Sequence, residues 1–291
     1  MKFNFFTFGG RFFWEDIYNY RNWIIQKNVI STNYRLIDPY DIKRDYGTFD
    51  QCKATLLRYI AACEEAPLST DSIILIPGFA QSKKSLRTLA TAFNNNDSNV
   101  IIFNHASICR GLSYHANALA QFLRNVNTTG ILSFITIGTG GLILRKMLAN
   151  SNNYRSFHIK RILEINPLNS GSDFAELLSG FGLIKNYVGP MVYDITPQKV
   201  LSLAKLPPDI EHGIIFCPFA WQMFCKGILA KYESFPSIHR ESEESFAPNI
   251  KKIDNYHPSP LKDDEIIELC RNFINDGAFD LDDNTEDENK S

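Results

Sequence analysis

The sequence has no marked excess of either charge, since its 291 residues give a formal net charge of −2 at pH 7. Without a basic bias, neither a nucleic-acid partner nor charge-driven attraction to a membrane surface is indicated. No apolar run approaches the ~20 residues that a membrane-spanning helix needs. Gly9, Gly10 and Arg11 interrupt any signal-peptide core near the N-terminus. The sequence therefore predicts a chain with no transmembrane segment, and it contains no internal repeat.

The cysteines form no Cys-x-x-Cys pair, and the histidines show no metal-ligand spacing. Most of the cysteines lie in apolar surroundings, as Cys217 does after Ile214-Ile215-Phe216. This setting favours reduced, buried thiols over disulfides or a metal site. We therefore expect a cytoplasmic protein with no metal and no cofactor. The six cysteines are Cys52, Cys63, Cys109, Cys217, Cys225 and Cys270.

Composition and its changes along the chain suggest the domain organisation. Hydrophobic residues make up 44% of the sequence, enough for a large core in one domain, with or without a cap. We expect residues 1–66 to form an N-terminal extension that packs on the core, and residues 67–275 to form the main domain. An apolar stretch rich in Gly and Pro, about 174–232, predicts a helical cap. The acidic residues 276–291 predict a disordered tail.

Buried strands and amphipathic helices alternate through the main domain. Ser72–Phe79, Val100–Phe103 and Ile131–Ile137 are each predicted as a buried strand followed by a helix, and Ile159–Ile165 as a fourth strand. That alternation predicts an α/β fold with a doubly wound, mostly parallel sheet, whose sites lie at the carboxyl ends of the strands. The other predicted elements of this domain are helices over Ser85–Phe93, Tyr114–Val126 (with Ser113 as N-cap), Leu142 to about Ala149 and Asp263–Ile274, and strands over Gly213–Phe216 and Lys251–Asp254.

The N-terminal extension carries its own patterns. Aromatic and aliphatic side chains at helical spacing predict a helix over Phe12–Tyr20. Trp23–Val29 and Tyr34–Ile37 predict a β-hairpin. Thr48 is placed to cap a helix over Phe49–Ala62 with one apolar stripe.

The stretch from Gly130 to Leu148 combines a buried strand, the glycine-rich run Gly138-Thr139-Gly140-Gly141 and a helix. A sharp strand-turn-helix needs glycine, because one turn residue is strained and the helix packs close to the strand. An α/β-hydrolase carries its nucleophile in such a turn, within a G-x-S-x-G motif. A phosphate-binding loop fits less well, because the run has no P-loop lysine and its spacing is not G-x-G-x-x-G.

Several further segments occur in the same order as in a known family. Together with the glycine-rich turn, they make the chain resemble a bacterial lipase/esterase-like branch of the α/β-hydrolases over roughly residues 8–277. The resemblance implies an α/β-hydrolase fold with a cap, and a site at the strand-to-helix elbow. The matching segments are Gly9–Trp14, Tyr34–Asp38, Ile74–Phe79, Thr136–Leu142 with Arg145, Asn166–Gly171 and Tyr256-His257.

The departures from the family pattern bear on activity. The family elbow reads Gly-His-Ser-x-Gly-Gly-Leu, and alignment without gaps puts Gly138 at the nucleophile and Ile137 at the preceding histidine. Glycine has no group that can form an acyl intermediate. At the oxyanion loop, Pro77-Gly78 replaces His-Gly, and proline has no backbone N–H. The resemblance implies a ligand or oxyanion region around Gly78, Phe79 and Gly140.

The rest of a catalytic triad is incomplete as well. His257 matches the position of the family base. The position of the acid depends on whether Glu243-Glu244 is the family's Glu-Glu pair, which would leave Ser237 in place of the acid. Glu241 and Glu243 remain alternatives. A one-residue shift would make Thr139 the nucleophile, although Ile137 then occupies a place that needs a small residue and threonine is stiff at χ1. The competing interpretation is that Thr139 bonds nearby backbone.

Two hypotheses for function follow from these observations. The first is a catalytically degenerate α/β-hydrolase-fold protein that binds an acyl or lipid-like ligand, or a protein partner. The second is an active carboxylic-ester hydrolase that uses Thr139 or another non-standard nucleophile with His257 as base.

Overall fold

A computed structural model describes residues 13–62, 71–79, 81, 83–93, 99–107, 109–126, 130–179, 189–217, 247–253 and 260–279, which form two β-sheets with surrounding helices. The strands are β1 (Trp14–Tyr20), β2 (Trp23–Asn28), β3 (Tyr34–Ile37), β4 (Lys43–Gly47), β5 (Ser72–Ile76), β6 (Asn99–Ile102), β7 (Leu132–Ile137), β8 (Ile159–Ile165), β9 (Glu211–Phe216) and β10 (Asn249–Lys252). The helices are α1 (Phe49–Ala61), α2 (Arg87–Ala92), α3 (Leu112–Asn125), α4 (Thr139–Leu148), α5 (Ser151–Ser156), α6 (Asp173–Ser179), α7 (Met191–Asp194), α8 (Pro197–Leu201) and α9 (Asp264–Asp276), and short 3-10 turns cover Lys83–Leu86 and Pro260–Lys262.

The larger sheet has six strands in the order β10-β9-β8-β7-β5-β6, and every neighbouring pair is parallel. Helices α3 and α4 contribute to the apolar core on one face, and α2 and α9 to the core on the other. Because both faces are covered, a central strand such as β5 is buried at every position. The predicted fold class, an α/β protein with a doubly wound parallel sheet, is confirmed.

The smaller sheet is an antiparallel meander in the order β1-β2-β3-β4. The predicted hairpin is confirmed as β2 and β3, while β4 was not predicted. Helix α1 packs on this sheet through a core formed by Ile17, Ile25, Leu36, Cys52 and Leu56. The helix has the predicted N-cap at Thr48, which forms a reciprocal capping box with Gln51.

The predicted helix over Phe12–Tyr20 is wrong, because Trp14–Tyr20 is a strand. The register of β1 against β2 shifts between Asp16 and Tyr18, which marks a β-bulge. A bulge adds one residue to a strand and breaks its period of two. The apolar side chains of this strand therefore recur at spacings that mimic a helix.

The N-terminal sheet is hydrogen-bonded to the parallel-sheet unit at several points. The backbone N–H of Asp16 donates to the Asn104 carbonyl at 2.9 Å, and the Asp16 carboxylate accepts the Asn104 N–H at 3.0 Å. Asn125 Nδ2 donates to the Ile17 carbonyl at 2.9 Å. Arg110 donates to the carbonyl of Val29 at 2.6 Å. These bonds attach β1 to the segment after β6 and to helix α3.

Helix α3 begins at Leu112, so the predicted cap at Ser113 is wrong. Its N-cap is Gly111, and the Asp194 carboxylate accepts the Leu112 N–H at 2.9 Å. A cap supplied from α7, far along the chain, has no local sequence signal. The same contact explains the glycine, since a Cβ on Gly111 would lie 2.5 Å from an Asp194 oxygen.

The described parts of the predicted cap, 174–179 and 189–217, contain helix α6 from its second residue, helices α7 and α8, and then strand β9, which belongs to the parallel sheet. Helix α9 runs to Asp276 and ends at Gly277, whose φ is 83°. Phe279 is buried and stacks on Phe273 with ring centroids 5.1 Å apart. The start of the predicted tail therefore completes α9 and packs on it through Phe279, contrary to the predicted disorder, and 280–291 lie outside the described residues. No helix in the described ranges combines the length and the hydropathy needed to cross a bilayer.

Among the cysteines, Cys52, Cys217 and Cys270 are buried free thiols, and Cys109 is a partly exposed one. Burial raises the pKa of Cys109 and of Cys217 to about 11, so both thiols hold their protons at neutral pH. This agrees with the prediction of reduced thiols. Cys63 and Cys225 lie outside the described residues.

Candidate functional site

The strand order reverses at β5, which lies between β6 on one side and β7 on the other. Chain segments leave the carboxyl ends of β5 and β7 in opposite directions, and the crevice between them is where doubly wound sheets bind ligands. The segment after β5 begins with Pro77-Gly78-Phe79. The residue directly after β7 is Gly138. The fold therefore brings the predicted oxyanion loop and the predicted elbow to one edge of the sheet.

Gly138 forms the apex of a one-residue turn between β7 and α4. Its backbone has φ 50° and ψ −115°, and its N–H donates to the Ile165 carbonyl at 3.0 Å. Helix α4 starts at the next residue, so the predicted four-residue turn is shorter and the helix is longer than the sequence indicated. A positive φ at a strand-to-helix apex is the strained geometry in which an α/β-hydrolase holds its nucleophile. The backbone thus has the form of an elbow, with glycine at its apex.

The other two glycines of the run are required by close packing. A Cβ on Gly140 would lie 2.5 Å from the Ile76 carbonyl oxygen, because α4 crosses directly over the end of β5. A Cβ on Gly141 would overlap the carboxylate of Glu164. Among the described residues, a Cβ on Gly138 would have only the Asn166 carbonyl oxygen nearby, at 3.8 Å, so no described group fills the space above this position.

Thr139 is the first residue of α4, and only 2% of it is exposed. Its hydroxyl makes no hydrogen bond to any described group, so the predicted bond to nearby backbone is absent. Among the described residues, no carbonyl accepts the backbone N–H of Thr139 or Gly140. Unpaired N–H groups at the first turn of a helix are available to a ligand oxygen.

The loop after β5 is closed on itself by Gln81. The Gly78 N–H donates to Gln81 Oε1 at 2.9 Å, and the Gln81 N–H donates to the Gly78 carbonyl at 3.2 Å. A Cβ on Gly78 would lie 3.0 Å from the Ile137 carbonyl oxygen, which places this loop against the elbow peptide. Since Pro77 has no N–H and that of Gly78 is occupied, two of the loop's backbone positions supply no free donor. Phe79 is partly buried and packs on the core beside α3 and α4.

A buried polar cluster lies beneath the elbow. Glu164 Oε2 is 2.9 Å from His212 Nε2 and accepts a hydrogen bond from Asn169 Nδ2 at 2.8 Å. Glu164 is 1% exposed, and its other oxygen lies against Gly141. Sequence reasoning missed this cluster. Its one signal is an acid between aliphatic residues in the buried second half of strand β8.

Asn166 joins the ends of β8 and β9 beside the elbow. Its Nδ2 donates to the Cys217 carbonyl at 2.8 Å, and its Oδ1 accepts the Cys217 N–H at 2.9 Å. Its φ is 47°, a conformation that asparagine tolerates better than most residues. These two bonds hold Cys217 beside Asn166, and Cys217 directly precedes the stretch of sequence that contains the predicted acid.

Arg145, the arginine that the resemblance singled out, is buried at 3% exposure. Its guanidinium donates to the carbonyls of Ala204 at 2.6 Å, Leu203 at 2.7 Å and Val200 at 3.3 Å. These carbonyls lie at and just beyond the end of α8. Arg145 therefore ties the elbow helix to the described part of the cap.

A second buried cluster joins the N-terminal sheet to α3. His115 Nδ1 lies 3.0 Å from Glu15 Oε1, and its Nε2 lies 3.2 Å from the Arg110 carbonyl oxygen. His105 lies edge to face with His115, with ring centroids 5.0 Å apart, and neither of its ring nitrogens has a partner among the described groups. Burial, and then the charge of His115, hold the pKa of His105 well below its usual value.

Two predicted site residues lie outside the described residues. These are His257, the predicted base, and Glu241, a predicted acid; Ser237, Glu243 and Glu244 lie outside them too. The structure therefore brings together Gly78, Phe79, Gly138, Thr139 and Gly140. The roles of His257 and Glu241 stay predictions. Within the described ranges, no cluster of three or more His, Cys, Asp or Glu residues is arranged to hold a metal ion.

The parallel sheet, its switch point and the glycine elbow define an α/β-hydrolase-type fold. The chain is similar to the mature lipase BlEst2 of Bacillus licheniformis, with 14% identity and a TM-score of 0.47 over 72% of this chain and 92% of that one. It is also similar to Est1E of Butyrivibrio proteoclasticus, with 12% identity and a TM-score of 0.44 over 72% and 88% of the two chains. For the metagenomic carboxyl esterase MGS0156 the identity is 13% and the TM-score 0.46, over 58% of this chain and 59% of that one. Neither a family model nor a curated protein sequence matches. Likenesses this weak carry no information about the chemistry of the site.

Proposed function

We propose that this protein binds an acyl or carboxylate-bearing, lipid-like molecule at the elbow without hydrolysing it. The observation that carries the proposal is the glycine at the apex, Gly138. In the hydrolase mechanism this position supplies the oxygen that attacks the acyl carbon. Loss of the serine alone costs on the order of 10⁶-fold in kcat in a well-studied protease.

The described surroundings of Gly138 suit such a ligand. The N–H groups of Thr139 and Gly140 lie at the N-terminus of α4, where the helix dipole favours a carbonyl or carboxylate oxygen. Phe79 and Leu168, on the loops after β5 and β8, are partly buried apolar side chains at the same edge of the sheet. Polar donors beside an apolar wall are the usual composition of a small-molecule site. A small acyl ligand accounts for these features better than a protein partner does.

Titration calorimetry with a medium-chain fatty acid and with a non-hydrolysable dialkyl ether of similar length tests the proposal. We expect 1:1 binding of the fatty acid, weaker binding of the analogue without a carbonyl, and no turnover of p-nitrophenyl esters. Gly138→Leu is the blocking control, since its side chain would fill the space above the apex that the described residues leave free. Absence of fatty-acid binding, or binding unaffected by Gly138→Leu, would refute the proposal.

A second candidate is an active ester hydrolase with Thr139 as nucleophile. The observation in its favour is the Thr139 hydroxyl, which has no hydrogen-bond partner in the described structure. Thr139→Val separates the two candidates, because it removes an unpaired buried hydroxyl and leaves the fold intact. Ester turnover and fluorophosphonate labelling that disappear in Thr139→Val would establish the hydrolase. The cytoplasmic location and bacterial origin remain predictions.

A further inference from the structure

Exposed apolar side chains are concentrated in the N-terminal unit. The described residues contain seven large apolar side chains that are exposed, and six of them lie between residues 30 and 59. Single exposed apolar residues are ordinary. Tyr40 and Ile42 differ, because they are two residues apart on one turn and are 83% and 50% exposed. The seven are Ile30, Tyr40, Ile42, Tyr46, Leu57, Tyr59 and Leu201.

The backbone of the turn between β3 and β4, residues 38–42, is ordered by hydrogen bonds to Asp38. Asp38 Oδ1 accepts the backbone N–H groups of Tyr40 at 2.9 Å and Ile42 at 2.8 Å. The Asp38 N–H donates to the Ile42 carbonyl at 3.0 Å. Asp38 Oδ2 accepts from Arg44 Nε at 2.7 Å. A turn that is already ordered loses little conformational entropy when it binds a surface.

The charges around the β3–β4 turn leave a positive surplus. Asp38 pairs with Arg44, and Asp41 pairs with Arg87 and lies 4.0 Å from Lys83. No acidic group of the described residues forms an ion pair with the exposed Lys43 or Lys84. The net charge of the whole chain does not reveal this local surplus.

The turn also lies beside the candidate site. Asp41 contacts Lys83 and Arg87, which follow the closed Gly78–Gln81 loop along the chain. A surface bound by Tyr40 and Ile42 would therefore be adjacent to the loop that packs against the elbow.

We propose that the β3–β4 turn docks on an anionic phospholipid surface. Tyr40 and Ile42 enter the boundary between headgroups and acyl chains, and Lys43 and Lys84 contact the anionic headgroups. Two apolar side chains are too few for a stable protein–protein interface, which buries roughly 1,200–2,000 Å² in total. They suffice for shallow insertion into a bilayer surface, because insertion needs only local apolar contact beside basic side chains. This proposal does not depend on the proposed function of the elbow.

Vesicle flotation of the full chain tests the proposal, using phosphatidylcholine vesicles with and without about one third phosphatidylserine. We expect flotation with the anionic vesicles. The double variant Tyr40→Ser/Ile42→Ser should weaken binding at least about tenfold, the change expected for losing one buried large apolar side chain. Lys43→Gln should weaken it about fivefold on anionic vesicles alone. All three substituted positions are exposed, and circular dichroism checks the fold.

Leu201→Ser is the matched control, because Leu201 is 59% exposed and lies outside the N-terminal unit. It should float like wild type. The proposal is overturned if wild type floats with neither vesicle, if it floats equally with both, or if the double variant floats like wild type. Loss of a dimer in the double variant, seen by light scattering without vesicles, would assign the turn to self-association instead. Fatty-acid binding measured without vesicles tests the elbow separately.

Discussion

The carbonyl oxygen of Asn166 lies 3.8 Å from the point where a side chain on Gly138 would begin, and among the described residues it is the nearest group there apart from the glycine's own chain neighbours and helix. The described part of the chain therefore leaves room at the apex for a side chain that the sequence does not supply. The two glycines that follow have no such room. Backbone conformation thus limits substitution at Gly138, and lack of space limits it at Gly140 and Gly141.

Gly138→Ser should fold, at a cost of about 1–3 kcal/mol for a non-glycine residue at φ 50°. Gly140→Ala should cost more than that, because its Cβ would lie 2.5 Å from the Ile76 carbonyl. Helix propensity alone would predict that Gly140→Ala stabilises the protein, because it favours Ala over Gly by about 1 kcal/mol inside a helix. Urea unfolding of the two variants provides the comparison. A stable Gly140→Ala beside an unfolded Gly138→Ser would contradict the description of the elbow.

His115→Phe and His105→Phe should differ strongly in stability. The first leaves Glu15 buried without the imidazole 3.0 Å away and should cost about 3–5 kcal/mol. The second replaces a buried ring whose nitrogens have no described partner, so its effect should stay within about 1 kcal/mol. Chemical denaturation at pH 7.5 measures both. Equal losses in the two variants would mean that Glu15 and His115 do not form a stabilising pair.

His105 should also influence stability in acid. Its folded pKa lies well below the ordinary 6.5 because of burial, so its contribution is present above pH 6.5 and is lost as the pH falls below that value. His105→Phe should remove this part of the acid loss. Unfolding free energies of variant and wild type between pH 7.5 and pH 5 test the sign. Parallel curves would show that His105 does not titrate on unfolding.

Asp16 should change the stability with pH in the opposite direction to His105. Burial raises its pKa to about 6 from 3.8, against the opposing effects of Lys83 and Arg35 and the hydrogen bonds from Asn104 and Gln26. A raised acid pKa means that stability is fully present below pH 3.8 and is lost as the pH rises through 6. Relative to Asp16→Asn, wild type should gain about 2 kcal/mol between pH 7 and pH 4. A gain in the other direction would show that the attractive partners outweigh burial.

Arg145→Lys should loosen the cap. Lysine is a single point donor and cannot reproduce the guanidinium's bonds to the carbonyls of Val200, Leu203 and Ala204. We expect a loss of about 2–3 kcal/mol and faster amide hydrogen exchange over residues 197–204. Arg124→Lys is a control, because Arg124 bonds one side chain, Asn153, away from the cap. Unchanged exchange over 197–204 would show that Arg145 does not hold this segment.

The six strands of the parallel sheet and helices α2, α3, α4 and α9 were predicted because each carries a local signal, whereas helix α5 (Ser151–Ser156) was not predicted. β8 was predicted over its observed range, Ile159–Ile165, since its isoleucine and leucine residues end at the turn signal Asn166-Pro167. β1 was missed because its bulge breaks the strand period. The cap of α3 was missed because Asp194 reaches Leu112 across 82 residues of sequence. Local sequence patterns do not identify residues that become neighbours only when the chain folds.

The candidate site was also predicted only in part. The sequence predicted an elbow but did not decide whether Gly138 or Thr139 occupies its apex. The positive φ of Gly138 identifies the apex, and Thr139 is already helical. The Glu164–His212 pair and the Gln81 bond to Gly78 depend on side-chain contacts and had no motif to reveal them. Gly140 and Gly141 were predicted for the turn, and the structure adds that Ile76 and Glu164 exclude a side chain at each.

The central claim is that the elbow holds an acyl group and leaves it intact. Incubation of wild type with a medium-chain p-nitrophenyl ester, followed by native mass spectrometry, tests both halves at once. We predict a 1:1 complex at the mass of the intact ester, absent in Gly138→Leu, with p-nitrophenol release no faster than in that variant. An acyl-enzyme adduct, or rapid p-nitrophenol release that disappears in Thr139→Val, would contradict the claim.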